Sequence, residues 1–491
     1  MTIGSTLTAA ASEYPDKPAF IMGDRFLNFR EAENLSNRFA NAVVSSGCRL
    51  GENIAIISQN CIEYPLAYFG IARAGCVSLH LSPRLTREEI EYCLKKAKVK
   101  VAVCDETVKG LDLDLRISIE REGFDALCSQ FSDVNPDLEG TIDAPSSATY
   151  TGGTTGFPKG GLHSAKSRLK WASIACDFFD LNPEEIMANA APMGHAAGGF
   201  IWFQPGVYAK ATQVLIPRWN VSSFIKTAEK NKVTATFLVP TQIIMLLDDV
   251  SFEPVRLNNL RKIIYGGAPS PPGLIERAQK ALPNCEFIQN YGMTEIGPLV
   301  TLYKKQRDLY PTAIGRPTDE TEWAIFIKPG CPAQIGQIGE LCFRGPTLMN
   351  GYIADESETK NFFRTSDGWG WTGDLAIQNS AGIISLVGRS ADTIISGGIN
   401  IYPAEIERTI SLLSAVTECV AFGIPDRKYG EVPAIALVVN TPTTPRDVIK
   451  ECEETMASYK IPQKVIFLEE IPKSSAGKVL RTVLREKYGS A

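Results

Sequence analysis

Through its first 330 or so residues the chain alternates segments of helical period with short apolar runs. That alternation points to parallel sheets covered by helices. One unit shows the rule. Thr86 and Glu89 stand as the S/T-x-x-E pair of a capping box. Ile90, Cys93, Leu94 and Ala97 follow at i, i+3, i+4 and i+7, one apolar face. Residues 99–104 (VKVAVC) then read as the next strand, and residues 53–58, 233–239, 262–265 and 286–289 read as others. Each ends in a polar or Gly-rich turn, and in open α/β sheets ligands bind at the carboxyl ends of strands.

From about Trp323 the texture changes. Short β-rich runs (WAIFIK, GELCFRG, GIISLVG) alternate with Gly turns and predict an antiparallel or barrel-like piece. After Gly388 and Arg389 a last unit begins, with a helix from Pro403, strands near 420–422 and 434–439, and a helix from Pro445. A chain of 491 residues exceeds one ordinary core. The predicted fold class is therefore α/β. A large N-terminal domain (residues 1–390) comprises helix-covered sheets plus a β-barrel-like subdomain, and a small α+β C-terminal domain spans residues 391–491.

Composition narrows the function classes. Apolar residues make up 44% and charged residues 21%, with a net charge of -5, which is the balance of a soluble globular protein and gives no nucleic-acid surface. The 12 cysteines form no CxxC, and His80, His163 and His195 are too dispersed for a zinc motif. The most apolar stretch, residues 188–216, is interrupted by Gly, Pro, Gln and Lys, a poor membrane span. The N-terminal residues lack the pattern of a signal peptide and the C-terminal KYGSA carries no retention or lipidation signal, so a cytoplasmic location is expected.

Residues 150–160 read YTGGTTGFPKG. Glycines let backbone N–H groups approach an anion, and such nests bind phosphate. Thr151, Thr154 and Thr155 add hydroxyl donors and Lys159 a point charge. This is not a Walker A loop, because Pro158 precedes the lysine and Gly160 follows it. Composition alone also admits a flexible Gly/Thr linker. The segment resembles the signature loop of the adenylate-forming superfamily, which comprises acyl-CoA synthetases, peptide-synthetase adenylation domains and beetle luciferases. The usual form is YTSGTTGxPKG; here Gly152 stands where Ser is usual.

Four further segments match that family in order. Residues 265–269 (YGGAP) resemble the turn that packs on adenine, so Gly266, Gly267, Ala268 and Pro269 join Gly153 as nucleotide-binding candidates, although alone this is an ordinary strand-to-helix turn. Residues 290–295 (NYGMTE) bring Asn290, Tyr291, Gly292 and Met293 to the nucleotide. The resemblance implies that Tyr291 stacks on adenine, Thr294 bonds the α-phosphate and the substrate carboxylate, and Glu295 holds Mg²⁺. Two anions must be neutralised before one can attack the other, and a hard carboxylate suits that metal. In residues 372–375 (TGDL) Asp374 would accept from both ribose hydroxyls, supported by Arg389, though TGD alone is a common turn. Residues 472–478 (PKSSAGK) match the last motif, so Lys478 would reach the α-phosphate; by itself it reads as a solvated lysine on a terminal tail.

The same resemblance implies that the C-terminal domain rotates between adenylation and thiol attack. Its hinge falls at Ala391, where Asp or Lys is usual. Gly397 and Gly398 would let a pantetheine arm pass, so coenzyme A joins ATP and Mg²⁺ among the expected cofactors. His195, in an H-x-x-G pattern with Gly198, either lines and gates the carboxylate pocket or is a histidine with no chemical role. The pocket is expected to draw on His195, Gly199, Phe237, Tyr265, Gly292, Gly297 and Pro298. Its contributing stretches hold no Arg or Lys, which predicts a monocarboxylic acid with an aromatic or medium-length apolar body. The sequence leaves open a homodimer, an acceptor other than coenzyme A as in an oxidase or stand-alone acyl-AMP synthetase, and a non-catalytic nucleotide-binding homologue.

Overall fold

The structure, a computed structural model, describes every residue except 106, 107, 109, 154, 155, 474–478, 490 and 491, and at 152, 153 and 156 the backbone alone. The described residues form three sheets. The first has seven strands in the order Gly351–Tyr352, Gly156–Ser164, Pro145–Gly153, Val77–Leu81, Asn53–Ile57, Val101–Cys104 and Leu115–Ser118. The last five run parallel.

Helix Arg87–Lys96 makes one of the crossovers, and its start is the expected capping box. Thr86 Oγ1 accepts from Glu89 N at 3.2 Å, and Glu89 Oε2 accepts from Thr86 N at 2.7 Å. Ile90, Cys93, Leu94 and Ala97 are all buried. With Ala55, Ile57, Leu79 and Leu81 they form one core, whereas Ile54 and Ile56 turn to a second core on the other face. A parallel strand buried on both faces is why these segments read as continuous apolar runs.

The second sheet has fourteen strands. Its middle is parallel, with Pro18–Met22, Thr212–Leu215, Ile186–Asn189, Ala235–Leu238, Lys262–Gly266 and Glu286–Met293 side by side. Phe237, Ile264 and Ile288 enter the core that Ile54 and Ile56 share, so that core lies between the two sheets. Leu238, Ile263 and Tyr265 enter a separate core on the opposite face.

The antiparallel piece foreseen after Trp323 is present as Glu322–Lys328, Ile338–Arg344, Gly370–Gln378 and Ile384–Arg389. Through Ala313–Pro317 and Gly297–Leu302 it joins the parallel strands edge to edge, so the β-rich subdomain continues the second sheet. The third sheet has five strands, Ile399–Ile401, Ile394–Ser396, Gly430–Val439, Val416–Asp426 and Lys464–Phe467. Helices Pro403–Ile410, Pro445–Thr455 and Arg481–Tyr488 cover it, and it has its own apolar clusters around Ile406 and Phe422. A small C-terminal domain thus stands beside the large N-terminal one.

Candidate functional site

The segment read as a phosphate loop is a β-hairpin. Tyr150 pairs with Gly160 and Thr151 with Lys159, and Gly153 faces Gly156 across a register shift. Thr154 and Thr155, the predicted hydroxyl donors at its tip, lie outside the described residues. Two of its glycines have packing reasons of their own. A Cβ at Gly160 would sit 2.9 Å from the Tyr150 ring, and one at Gly161 would sit 3.2 Å from the Thr294 methyl. The Tyr150 hydroxyl donates to Cys93 O at 3.4 Å, tying the hairpin to the helix behind it. Lys159 Nζ lies 2.7 Å from Glu358 Oε2.

The hairpin abuts the end of strand Glu286–Met293, so residues 290–295 lie beside it. Thr294 and Glu295 are both buried. His163, on the outgoing strand of the hairpin, contacts Thr294 O through Nε2 at 2.7 Å and Ser167 Oγ through Nδ1 at 2.8 Å. A carbonyl oxygen only accepts, so Nε2 carries the proton. Burial, then the neighbouring Arg168 guanidinium, hold His163 well below the usual imidazole range. Glu295 Oε1 accepts from the Tyr352 hydroxyl at 2.6 Å. Strand Gly351–Tyr352 reaches it by pairing with Leu162 and Gly161 of the hairpin, and Met349 N donates to Glu295 O at 2.9 Å. Burial, then the Glu295 carboxylate, push the Tyr352 phenol far up, so it remains a donor.

Asp374 and Arg389 come together with Tyr291. The Tyr291 hydroxyl donates to Asp374 Oδ2 at 2.6 Å, and Arg389 Nε donates to Asp374 Oδ1 at 2.7 Å. The tripeptide TGD is no free turn but a bulge within strand Gly370–Gln378. Between the pairs Glu340–Leu375 and Cys342–Trp371, Leu341 alone faces Thr372, Gly373 and Asp374. Gly373 takes φ 74° there, and the Thr372 hydroxyl donates to Leu341 O at 2.7 Å. Bulges re-aim side chains, and this one turns Asp374 toward Tyr291. Nearby, Gly266 is pressed against Asn290 O, Gly267 takes φ 79°, and residues 267–269 are exposed. Asn290 faces away from that surface, its Nδ2 donating to Val300 O at 3.1 Å.

The residues expected to form the acid pocket are not all brought together. His195 is half-buried ahead of the π-helical turn Ala197–Phe203, a form that recurs at functional sites. Gly198 and Gly199 press on Pro192 O and Met193 O, where side chains would clash. Gly199 lines a void of about 10 Å³ with Tyr64, Tyr68, His80, Met193, Phe200 and Phe203. Phe237 shares that core. Tyr265 corrects the sequence reading. Its side chain alternates to the far face of the sheet, is wholly buried and bonds Gln289 Oε1 at 3.2 Å, so it does not line a pocket with Phe237. Met293 and Gly292 are half-buried, and Gly292 is pressed against Gly297 O. Gly297 takes φ 91° against the Trp171 indole, with Pro298 next to it in the strand. A cavity of about 460 Å³ lined by Arg25, Phe26, Leu35 and Arg38 involves none of these motifs.

In the C-terminal part, Gly397 (φ 58°) and Gly398 (φ 82°) form the two-residue turn between Ile394–Ser396 and Ile399–Ile401. A hairpin of that type needs positive φ at both positions, which accounts for both glycines without a ligand. Ala391 is exposed in the short turn Ser390–Asp392; the next residue, Asp392, receives Arg481 Nη1 at 3.2 Å. Lys478 lies outside the described residues.

Fold and site together describe a nucleotide-using α/β enzyme with a small C-terminal domain. The chain belongs to the AMP-binding enzyme family, whose model matches residues 7–353, with the AMP-binding enzyme C-terminal domain matching residues 405–478. It is 30% identical to a feruloyl-CoA synthase of Amycolatopsis sp over 99% of both chains. It is 27% identical to a long-chain-fatty-acid–CoA ligase of Yersinia pestis over 97% of this chain and 93% of that one. The solved o-succinylbenzoate CoA synthetase of Bacillus subtilis, in complex with its acyl-adenylate intermediate, superposes with a TM-score of 0.88 at 28% identity, covering 98% and 97% of the two chains.

Proposed function

We propose that this enzyme is an AMP-forming acid–CoA ligase. A carboxylate oxygen of the acid attacks the α-phosphorus of ATP, pyrophosphate leaves, and the sulfur of coenzyme A then attacks the acyl carbonyl, displacing AMP and losing its proton. The observation that supports this most is the meeting of Tyr291 with Asp374 and Arg389, while Thr294 of the same segment meets His163 of the hairpin. In this reading Tyr291 offers a ring to adenine, Asp374 keeps acceptor lone pairs for ribose hydroxyls, and Thr294 bonds the α-phosphate and the substrate carboxylate. Glu295 Oε1 is bonded to Tyr352, which leaves Oε2 for a cation. Among the described residues no cluster of three metal-ligating side chains exists. One carboxylate completed by substrate phosphates and water is the way Mg²⁺ is commonly bound, and such a cation would neutralise charge at the reacting phosphate.

We assign residues 1–390 and 391–491 to the two domains, Ala391 to the hinge, His195 to the carboxylate pocket, Gly397 and Gly398 to the coenzyme A path, and Lys478 to adenylation. The acid is a monocarboxylate of aromatic or medium-length apolar body, in keeping with the side chains of Met193, Phe200, Phe203 and Phe237. The relatives act on acids as different as ferulate and long-chain fatty acids, so they support the reaction more than any one substrate. No described helix is long and apolar enough to cross a membrane, and ATP and coenzyme A are drawn from the cytoplasm, where we place the enzyme. The test separates the two half-reactions. Lys478→Ala is expected to lose acyl-AMP formation while still converting supplied acyl-AMP to the thioester. Unchanged adenylation in that variant, or acyl-AMP with no thioester from the wild type, would overturn the scheme.

A further inference from the structure

The hairpin read as the polyphosphate site already holds an anion of its own. Lys159 Nζ sits 2.7 Å from Glu358 Oε2, the two side chains 19% and 35% exposed. Glu358 belongs to the first turn of helix Glu356–Phe362, whose N-cap Asp355 accepts from Glu358 N at 3.1 Å. The other oxygen of Asp355 accepts from Lys96 Nζ at 2.8 Å, and Lys96 also donates to the Tyr92 hydroxyl at 3.1 Å. The Tyr92 ring stacks on Phe157 of the hairpin at 4.3 Å between centroids. Backbone completes the clasp, since Ile353 N donates to Gly160 O at 2.9 Å.

The two ion pairs in this clasp are not equivalent. Lys96–Asp355 joins two elements outside the hairpin, and both Asp355 oxygens are engaged. Lys159–Glu358 joins the hairpin to the helix, and among the described residues the Glu358 carboxylate has no other partner. The first pair can hold the clasp shut while the second opens. A lysine ammonium is a compact charge on a flexible stem and exchanges one anion for another without rebuilding a bidentate geometry. Part exposure keeps such a pair weak enough to yield to a polyphosphate.

We propose that Glu358 is a resident competitor for Lys159. It holds the lysine when no polyphosphate is bound, releases it to the terminal phosphates of ATP, and takes it back as pyrophosphate departs, so that it tunes polyphosphate affinity and favours product release. This rests on the reading of residues 150–160 as the phosphate hairpin of the proposed reaction. The test is calorimetric binding of inorganic pyrophosphate, with Mg²⁺, to the full chain. Binding of that probe needs neither the acid nor coenzyme A, so failure to find an active acid does not touch it. Glu358→Gln, with Glu358→Ala as a second variant, is expected to bind pyrophosphate about 2- to 5-fold more tightly at an unchanged melting temperature. Lys159→Gln should weaken binding and abolish the gain in the double variant. Unchanged or weaker binding in both Glu358 variants, or a gain that survives Lys159→Gln, would overturn the proposal.

Discussion

Glu295 depends on a neighbour 57 residues away in the chain. The Tyr352 hydroxyl bonds one of its oxygens, and the burial that keeps this phenol protonated also fixes the carboxylate. Partners that orient a metal-binding side chain, the role proposed for Glu295, typically change affinity 10- to 100-fold when removed. Tyr352→Phe should therefore raise the Mg²⁺ concentration for half-maximal AMP formation about 10-fold with the fold intact, as a Mg²⁺ titration would measure; an unmoved midpoint would show that Glu295 needs no such support. Asp374→Asn keeps the size but weakens the acceptor for Tyr291 and Arg389, and should lower AMP affinity about 10-fold in direct binding, roughly one charge-assisted hydrogen bond. As members of the candidate site, Thr294, Glu295, Asp374 and Arg389 were legible because each sits in a contiguous motif. Tyr352, His163 and Glu358 were not, because nothing local marks a partner brought by a sheet edge; His163 reaches Thr294 across 131 residues.

Single elements explain where pattern reading stopped. The glycines of residues 150–160 read as a loop because glycine weakens a strand, yet Gly160 pairs with Tyr150 across a hairpin in which a Cβ at that position would press on the Tyr150 ring. Thr372, Gly373 and Asp374 read as a turn and are a bulge in a strand, since one facing residue on the partner strand cannot be seen in the local sequence. Tyr265 shows the limit of period two: the strand was evident, but not that Tyr265 and Phe237 would enter different cores on opposite faces of the sheet. Gly297 gives a test at this scale. A Cβ there would lie 2.5 Å from the Trp171 indole at φ 91°, so Gly297→Ala combines backbone strain with overpacking. Denaturant unfolding should show a loss of about 3 kcal/mol; wild-type stability would mean that Trp171 moves aside freely.

For the whole molecule, the alternation of helix and strand was enough to foresee helix-covered parallel sheets and a small C-terminal domain, whereas the joining of the β-rich piece to the main sheet required the paired edges themselves. The core between the first two sheets carries a charge debt that pH exposes. Burial, then Arg168, lower His80 to about 3, and His163 also lies well below its ordinary value. In the unfolded chain both titrate near 6.5. Between those values the unfolded state binds more protons, so stability falls as pH drops below about 6.5, by up to about 1.4 kcal/mol per pH unit for each histidine. Melting curves at pH 7, 6 and 5 should show this decline, and His80→Gln should make it shallower; an identical slope would mean His80 stays neutral in both states. The central claim is the reaction, and its most direct test is acid-dependent release of AMP from ATP and Mg²⁺, with and without coenzyme A, across benzoic, cinnamic and medium-chain acids. The account predicts AMP together with the matching coenzyme A thioester for at least one acid of this kind. AMP formed with no thioester, or ATP turned over without any dependence on the acid, would contradict it.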